Sequence, residues 1–303
     1  MFPHRKATLA AALAIAGLAA GEASAQAKCG IAGDLPARTQ AIAHAIQGRV
    51  DEGLRIAPDP FVAGYVAWLG RRYDVALDNM AKAAVQASQI KNRRTRSEGL
   101  ARAGYWSSRI LAEQGRHAEA QQMREATLTH KGTFYALLTD PVHGIPRRDS
   151  YPMPQFAYTD ARTSNALVYA IAREESNFRA TVTSSANAQG VMQVIPPTAR
   201  RIAGWVNMSV DMKRLNSDMN YNVALGSTYL GFLLDRYKSY PPLAAAGYNA
   251  GEGCADKWIA ALGDPRSQVD PLTWIEALPI KETRDYVKRV MGSYVVYVNH
   301  GAR

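Results

Sequence analysis

Residues 164–176 read S-N-A-L-V-Y-A-I-A-R-E-E-S, and their apolar spacing decides for helix. Ser164 or Asn165 can cap a helix running through Ala166 to Ser176, because a side-chain oxygen there satisfies a free N–H of the first turn. Leu167, Ile171 and Glu175 stand at i, i+4 and i+8, so they share a face, which Phe178 continues. A stripe that should close on another hydrophobe closes on a carboxylate. Held against apolar neighbours, such a carboxyl keeps its proton more readily than in water, which suits a general acid at neutral pH. A salt bridge ending an amphipathic helix fits the same periodicity. Glu174 lies about 100° around the helix and is expected to meet solvent.

Downstream, Ser184-Ser185-Ala186-Asn187-Ala188-Gln189-Gly190-Val191-Met192-Gln193 begins small and polar and becomes apolar. It reads as a turn that lets the backbone approach a ligand, followed by a short hydrophobic plug with Gln193 as amide donor and acceptor. Pro196-Pro197 restarts helix, with proline in its tolerated first turn. A further helix is predicted over about 221–237, with Leu225, Tyr229, Phe232 and Leu233 on one side. Another runs from Leu243 into Gly247-Tyr248-Asn249-Ala250-Gly251-Glu252-Gly253, where glycines leave an aromatic and an amide open to a ligand. A plain glycine-rich cap has the same appearance.

Upstream, residues 35–140 also read as helices. Tyr65, Trp68 and Leu69 form an apolar stripe before Gly70, and Tyr73, Ala76, Leu77, Met80 and Ala84 resume it. Tyr105, Trp106, Ile110 and Leu111 precede Gly115 in the same way, and Ala118, Ala120 and Met123 follow it. Stacked helix pairs and an ordinary helical bundle both suit this pattern. Pro141, Pro146, Pro152 and Pro154 exclude continuous helix between Asp140 and Tyr158, which marks a boundary. Tyr151, Met153, Phe156 and Tyr158 could anchor it as a docked strap, and a flexible tether is the alternative.

The chain has 303 residues, 47% of them hydrophobic, a formal charge of +10 and two cysteines. That apolar content excludes a largely disordered chain, and two cysteines are too few for a disulfide-stapled miniprotein. Arg5 and Lys6, a small-residue apolar run and Ala23-Ser24-Ala25 have the order of a secretory signal over residues 1–25. An exported, periplasmic protein is the expectation, with Cys29 either a free thiol or the partner of Cys254. The positive charge suits an anionic polymer or a wall or membrane surface, and export disfavours nucleic acid. The common zinc, P-loop and dinucleotide motifs are missing from the sequence, so no metal or cofactor is expected. His117, His130 and His143 read as surface residues.

Glu175-Ser176, Gly190-Val191-Met192-Gln193, Gly247-Tyr248-Asn249-Ala250-Gly251 and then Glu276, Pro279 and Glu282-Thr283-Arg284-Asp285-Tyr286-Val287 occur in that order. Together they resemble the signature of the soluble lytic transglycosylases, goose-lysozyme-related helical enzymes that cleave peptidoglycan. Ala103-Gly104-Tyr105-Trp106 and Gly132-Thr133-Phe134-Tyr135-Ala136-Leu137-Leu138 resemble, less specifically, the end of that family's superhelical domain. The resemblance implies an all-α chain. A helical-repeat-like or bundle domain (28–140) would lead through the proline-rich segment (141–158) to a lysozyme-like, mainly helical transglycosylase domain (159–300).

It also implies roles. Glu175 would be the single catalytic acid and base, giving 1,6-anhydromuramyl ends by exo- or endo-cleavage of peptidoglycan glycan strands. Ser184 and Gln193 would hydrogen-bond the sugar, Met192 would pack beside the site, Tyr248 and Asn249 would position substrate and carboxylate, and Glu276 would line the groove. Thr283, Arg284, Tyr286 and Val287 would mainly hold the closing helices. Asn187, Val191, Ile195 and Gly247 depart from the family's usual Gly, Leu, Met and Ala. Asn187 bears on a turn needing positive φ, which asparagine tolerates better than other non-glycine residues. Most glycosidases use two carboxylates, and no second Asp or Glu lies in residues 176–199, so a substrate-borne nucleophile fits. A hydrolase pairing Glu175 with Glu276 and a non-catalytic wall-binding or secretion-associated protein are the alternatives.

Overall fold

A computed structural model describes residues 29–31, 35–205 and 209–302; the signal sequence expected over residues 1–25 lies outside them. Among the described residues the regular structure is helical, with only isolated bridges at Thr183–Gln189 and Gln189–Val194. The all-α expectation holds.

The chain divides into two compact units. Of the described residues, one comprises those up to Asp140 together with Gly253–Asp285, the other those of 141–252 with those of 286–302. The boundary at Asp140 falls where the prolines begin. Segment 253–285, which the sequence reading assigns to the C-terminal domain, groups instead with the N-terminal helices, and the covalent and buried contacts below give the reason.

The first unit contains α1 (Ala37–Ile46), α2 (Val50–Ile56), α3 (Pro60–Leu69), α4 (Tyr73–Ser88), α5 (Arg93–Glu113), α6 (His117–Leu128) and α7 (Phe134–Thr139). Each packs on its successor, and α1, α3, α5 and α7 also meet next-but-one, so helix pairs stack in sequence order. The large residues of the two apolar stripes meet directly: Trp106 lies 4.8 Å from Tyr65 and 4.7 Å from Trp68, ring centre to ring centre. Cys29 is bonded to Cys254, and the Trp258 indole donates to the Cys29 carbonyl. The Tyr65 hydroxyl meets that of Thr273 at 2.7 Å, fully buried. These contacts fasten segment 253–285 to the front of the chain.

The second unit is built from α8 (Asn165–Ser176), α9 (Pro196–Trp205), α10 (Met212–Leu215), α11 (Met219–Arg236), α12 (Pro241–Ala250) and the later part of α15 (Lys281–Asn299); α13 (Glu252–Leu262) and α14 (Pro271–Ala277) lie between α12 and α15 in sequence. The proline-rich segment is a docked strap. Tyr169 and Tyr297 hydroxyls donate to the carbonyls of Pro154 and Pro152, Arg173 donates to the Ser150 carbonyl, and Tyr151 is buried 5.3 Å from the Tyr297 ring. The Phe156 ring packs, tilted, 5.3 Å from that of Tyr169. Tyr158 is exposed and anchors nothing in this way.

Candidate active site

Helix α8 supplies the central carboxylate. The Ser164 hydroxyl caps its start by accepting from the Leu167 N–H, and residues 166–172 are all buried, so the helix is a rigid member of its unit. Asn177 and Phe178 follow with φ of +52° and +62°, which ends the helix sharply after Ser176. Glu175 therefore stands on the last turn, half-buried, and its Oε1 accepts from the Tyr286 hydroxyl of α15 at 2.6 Å. Burial and the adjacent Glu175 carboxylate push the Tyr286 phenol well above its ordinary range, so it remains a neutral donor.

The loop after α8 is pinned to it by a neighbouring residue. The buried Ser176 hydroxyl donates to the Val191 carbonyl at 2.7 Å. Within the loop, Ser184 N–H and the Ala188 carbonyl pair, the Ser184 Oγ accepts from Ala188 N–H, and Asn187 sits at φ +60°. The positive φ that the family's glycine would supply is thus present at Asn187. Gln193 Nε2 donates to the carbonyls of Val182 and Gly190 at 3.1 and 2.8 Å, so that amide nitrogen braces the loop, whereas the sequence reading gives it to a sugar. Ser184 keeps a hydroxyl hydrogen that its bond from Ala188 does not consume.

Asn222, on α11, holds the loop from behind. Its Oδ1 accepts from Met192 N–H at 2.8 Å, and its Nδ2 donates to the carbonyls of Gln189 and Leu215 at 2.8 and 2.9 Å. Gly190 has φ +73°, and a Cβ there would collide with this amide. Met192 is fully buried, and Gly226 opposite it leaves the space for its side chain. Asn222 escaped the sequence reading; its signal is an amide within the run Tyr221, Val223 and Leu225 of α11, all of them buried.

Tyr248 closes the far side. Its hydroxyl donates to the Met192 carbonyl at 2.9 Å, and burial, followed by the negative charge of Glu175, raises it well above the usual phenol range. Asn249 follows it, half-buried, near the C-terminus of α12. Behind Tyr248, Tyr229 lies 5.4 Å away ring to ring and donates to Glu252, whose other oxygen accepts from Arg201 at 2.7 Å. Met192, Tyr248 and Glu175 are thus brought together around the pinned loop.

Two expectations need correction. Glu174 does not meet solvent: its side chain is 4% exposed and accepts from Arg289 Nε at 2.6 Å. Glu276 does not line a groove either. It is 0% exposed and lies in the first unit, bound by the Arg38 guanidinium and the Tyr135 hydroxyl, with Arg102 at 4.0 Å. An acid placed that deeply survives by pairing, which makes it a structural ion-pair centre. Tyr286 moves the other way, from a helix-holding role to direct contact with Glu175. Among the described residues no group of three or more His, Cys, Asp or Glu could hold a metal ion, and no helix is long and apolar enough to cross a membrane.

Residues 153–269 match the Transglycosylase SLT domain family. The soluble lytic murein transglycosylases of Salmonella typhimurium and Escherichia coli are each 32% identical to this chain, over 139 and 131 residues that cover 45% and 42% of it. The chain spans only about a fifth of the length of these relatives, 21% and 20% respectively. Its fold is similar to that of an inactive mutant of the lytic transglycosylase Slt from Pseudomonas aeruginosa. That similarity has a TM-score of 0.63 at 17% identity and covers 87% of this chain and 56% of the other.

Proposed function

We propose, for a chain whose residues 153–269 belong to the transglycosylase SLT domain family, that it cleaves peptidoglycan glycan strands with Glu175 as its one catalytic acid and base. The protonated Glu175 gives its proton to the glycosidic oxygen between N-acetylmuramic acid and N-acetylglucosamine as the C1–O4 bond breaks. The resulting carboxylate takes the proton of the muramyl 6-hydroxyl as that oxygen bonds to C1. The carboxyl ends protonated as it began, and a 1,6-anhydro end forms without water.

One observation carries this reading: Glu175 is the half-buried carboxylate beside the pinned loop, and the other candidate carboxylates are engaged elsewhere. Glu174 is buried against Arg289, Glu252 is held by Arg201 and Tyr229, and Glu276 is enclosed in the first unit. Hydrolysis ordinarily requires a second carboxylate facing the same bond, as base or nucleophile. A substrate-borne nucleophile removes that requirement. Tyr286 aims the acid, and Tyr248 with the Met192 backbone forms the wall beside it. The disulfide between Cys29 and Cys254 supports an oxidising compartment, and we place the protein in the periplasm, at its polymer substrate.

The test is product mass. Wild-type protein incubated with purified peptidoglycan is expected to release muropeptides lighter by one water per cleavage than reducing-end products, and Glu175→Gln is expected to release none. Reducing muramyl ends would replace this chemistry with hydrolysis, and wall binding without cleavage by the wild type would replace it with a non-catalytic role.

A further inference from the structure

We propose that the exposed edge of α9 is a sugar-binding track leading away from Glu175, with Trp205 as an aromatic platform on which a pyranose of the peptidoglycan glycan strand stacks. The proposal rests on the glycan-binding part of the reading above and extends it to sugars remote from the reacting bond. Its own measurement does not require turnover.

Trp205 stands apart from most of the other tryptophans. Trp106, Trp258 and Trp274 are fully buried, whereas Trp205 is 46% exposed. Leaving so large a ring in water forfeits part of the stabilisation that its burial would bring. The ring is nevertheless held. Phe232 of α11 packs against it, tilted, at 4.8 Å, and the Arg201 guanidinium, one turn earlier on α9, lies 5.3 Å from its centre. Arg201 is itself fixed, because Nη1 donates to Glu252 at 2.7 Å and the Tyr229 and Phe232 rings lie 5.4 and 5.9 Å away. A flat face that is wet but already oriented loses little freedom when a ligand settles on it.

The platform is also joined to the candidate site. Helix α9 follows directly on the loop that Ser176 and Asn222 hold. Pro197, Arg201 and Trp205 are spaced four apart, share one face and are all exposed, so they form a strip about 12 Å long that starts beside the loop. From Trp205 inward, the rings of Phe232, Tyr229 and Tyr248 follow at steps of 4.8, 6.3 and 5.4 Å, and the last of them bonds the Met192 carbonyl. A glycan strand engaged at Glu175 covers that distance within a few sugars.

The chemistry of the strip favours a sugar over other occupants. An indole face carries the negative side of the ring quadrupole, and a pyranose presents weakly positive C–H groups on its own face. Beside the indole, the exposed Arg201 has N–H donors besides the one given to Glu252, suited to a sugar hydroxyl or an N-acetyl oxygen. A lipid surface would need the apolar face of α9, but Ala199, Ile202 and Ala203 are buried within the unit. Trp205 is the one large hydrophobe that α9 exposes, an area small for a stable protein interface and sufficient for one sugar ring.

The measurement is NMR of the indole N–H signals in nitrogen-15-labelled Glu175→Gln protein, titrated with peptide-free glycan strands several disaccharides long. The Trp205 signal is identified by its loss in Trp205→Phe, and circular dichroism checks that each variant is folded. The strands are expected to shift the Trp205 signal. In calorimetry, Trp205→Ala in the same background should bind them about tenfold more weakly, and Trp205→Phe, which keeps an aromatic face, should lose less. A Trp205 signal that stays in place when the strands saturate the protein, or Trp205→Ala binding as tightly as its parent, overturns the proposal. So does a signal moved by anionic phospholipid vesicles and not by glycan, which would make the ring a membrane contact. If wild-type protein leaves peptidoglycan intact, the catalytic reading fails, and the indole signal still decides the platform.

Discussion

Replacing Asn222 tests whether a single buried amide holds the loop beside Glu175. Asn222 is 1% exposed and makes three hydrogen bonds, to Met192 N–H and to the carbonyls of Gln189 and Leu215, all between 2.8 and 2.9 Å. Alanine leaves all three backbone groups without this partner. At a net cost of about 1 kcal/mol for each bond lost, the loop is destabilised by roughly 3 kcal/mol relative to its open state. Because the chain has two compact units, one global melting curve does not isolate this effect. Hydrogen exchange of the amides over residues 189–194 does, and about 3 kcal/mol corresponds to roughly hundredfold faster opening.

Asn222→Asp sharpens the test. The acid keeps an oxygen to accept from Met192 N–H but turns its second oxygen toward two carbonyls, which repel it when ionised. Its folded-state pKa is consequently raised above the unfolded value. The contribution of that residue is then fully present below the unfolded pKa and disappears as pH rises through the folded one. Loop protection in Asn222→Asp should therefore be greater at pH 4 than at pH 7, while Asn222→Ala shows no such trend. Exchange in Asn222→Ala within threefold of wild type would refute the reasoning.

Two further perturbations test carboxylates that the structure engages in ion pairs. Glu276→Ala takes from the nearly buried guanidinium of Arg38 its enclosed carboxylate partner, leaving Asp59 at 3.7 Å, and should cost the first unit about 3–5 kcal/mol, seen as a lower thermal midpoint, while the KM for glycan strands expected on the proposed reading is unchanged. A changed KM at full stability would restore Glu276 to a groove. For Glu252, burial pushes the carboxyl up, but hydrogen bonds from Arg201 and Tyr229 outweigh burial and leave it below the ordinary range. Its contribution to stability is present above the unfolded pKa and is lost as pH falls through the lower folded one, so Glu252→Gln should flatten the acid limb of the second unit's stability curve; an unchanged limb argues against that network.

The helices were legible because burial leaves a periodic trace. Leu167 and Ile171 announce α8, Ser164 announces its start, and prolines 141–154 announce the break before it. Domain membership left no such trace. Segment 253–285 follows the Tyr248-Asn249 pair directly in the chain, yet it is held to the front by a disulfide joining residues 225 apart and by the long-range contacts of Glu276 and Thr273. Apart from Cys254, one of the two cysteines of the sequence, nothing local in residues 253–285 records partners more than a hundred positions away. The strap was legible as a break, with docking one of two readings; its anchors Tyr151 and Phe156 could be named, but its attachments through the backbone carbonyls of Pro152, Pro154 and Ser150 could not, since carbonyls are common to every residue.

The same distinction divides the candidate site. Glu175 could be singled out because a carboxylate at the end of an apolar stripe breaks a local pattern. Glu174 could not be interpreted from that pattern, since its angle on α8 specifies a direction but not what lies there. What lies there is Arg289, 115 residues away, and it converts an apparently solvent-facing charge into a buried one. Gln193 and Asn222 show the converse: two amides with equal capacity to bind a sugar, each of whose side-chain nitrogens the structure commits to two backbone carbonyls. Side-chain chemistry therefore identified residues able to act, whereas the contacts made across the fold decide whether that capacity faces a ligand or is used in holding the loop. Glu175 meets both conditions of the proposed reading: its carboxyl breaks a local pattern in the sequence, and the Tyr286 hydroxyl holds it from across the fold.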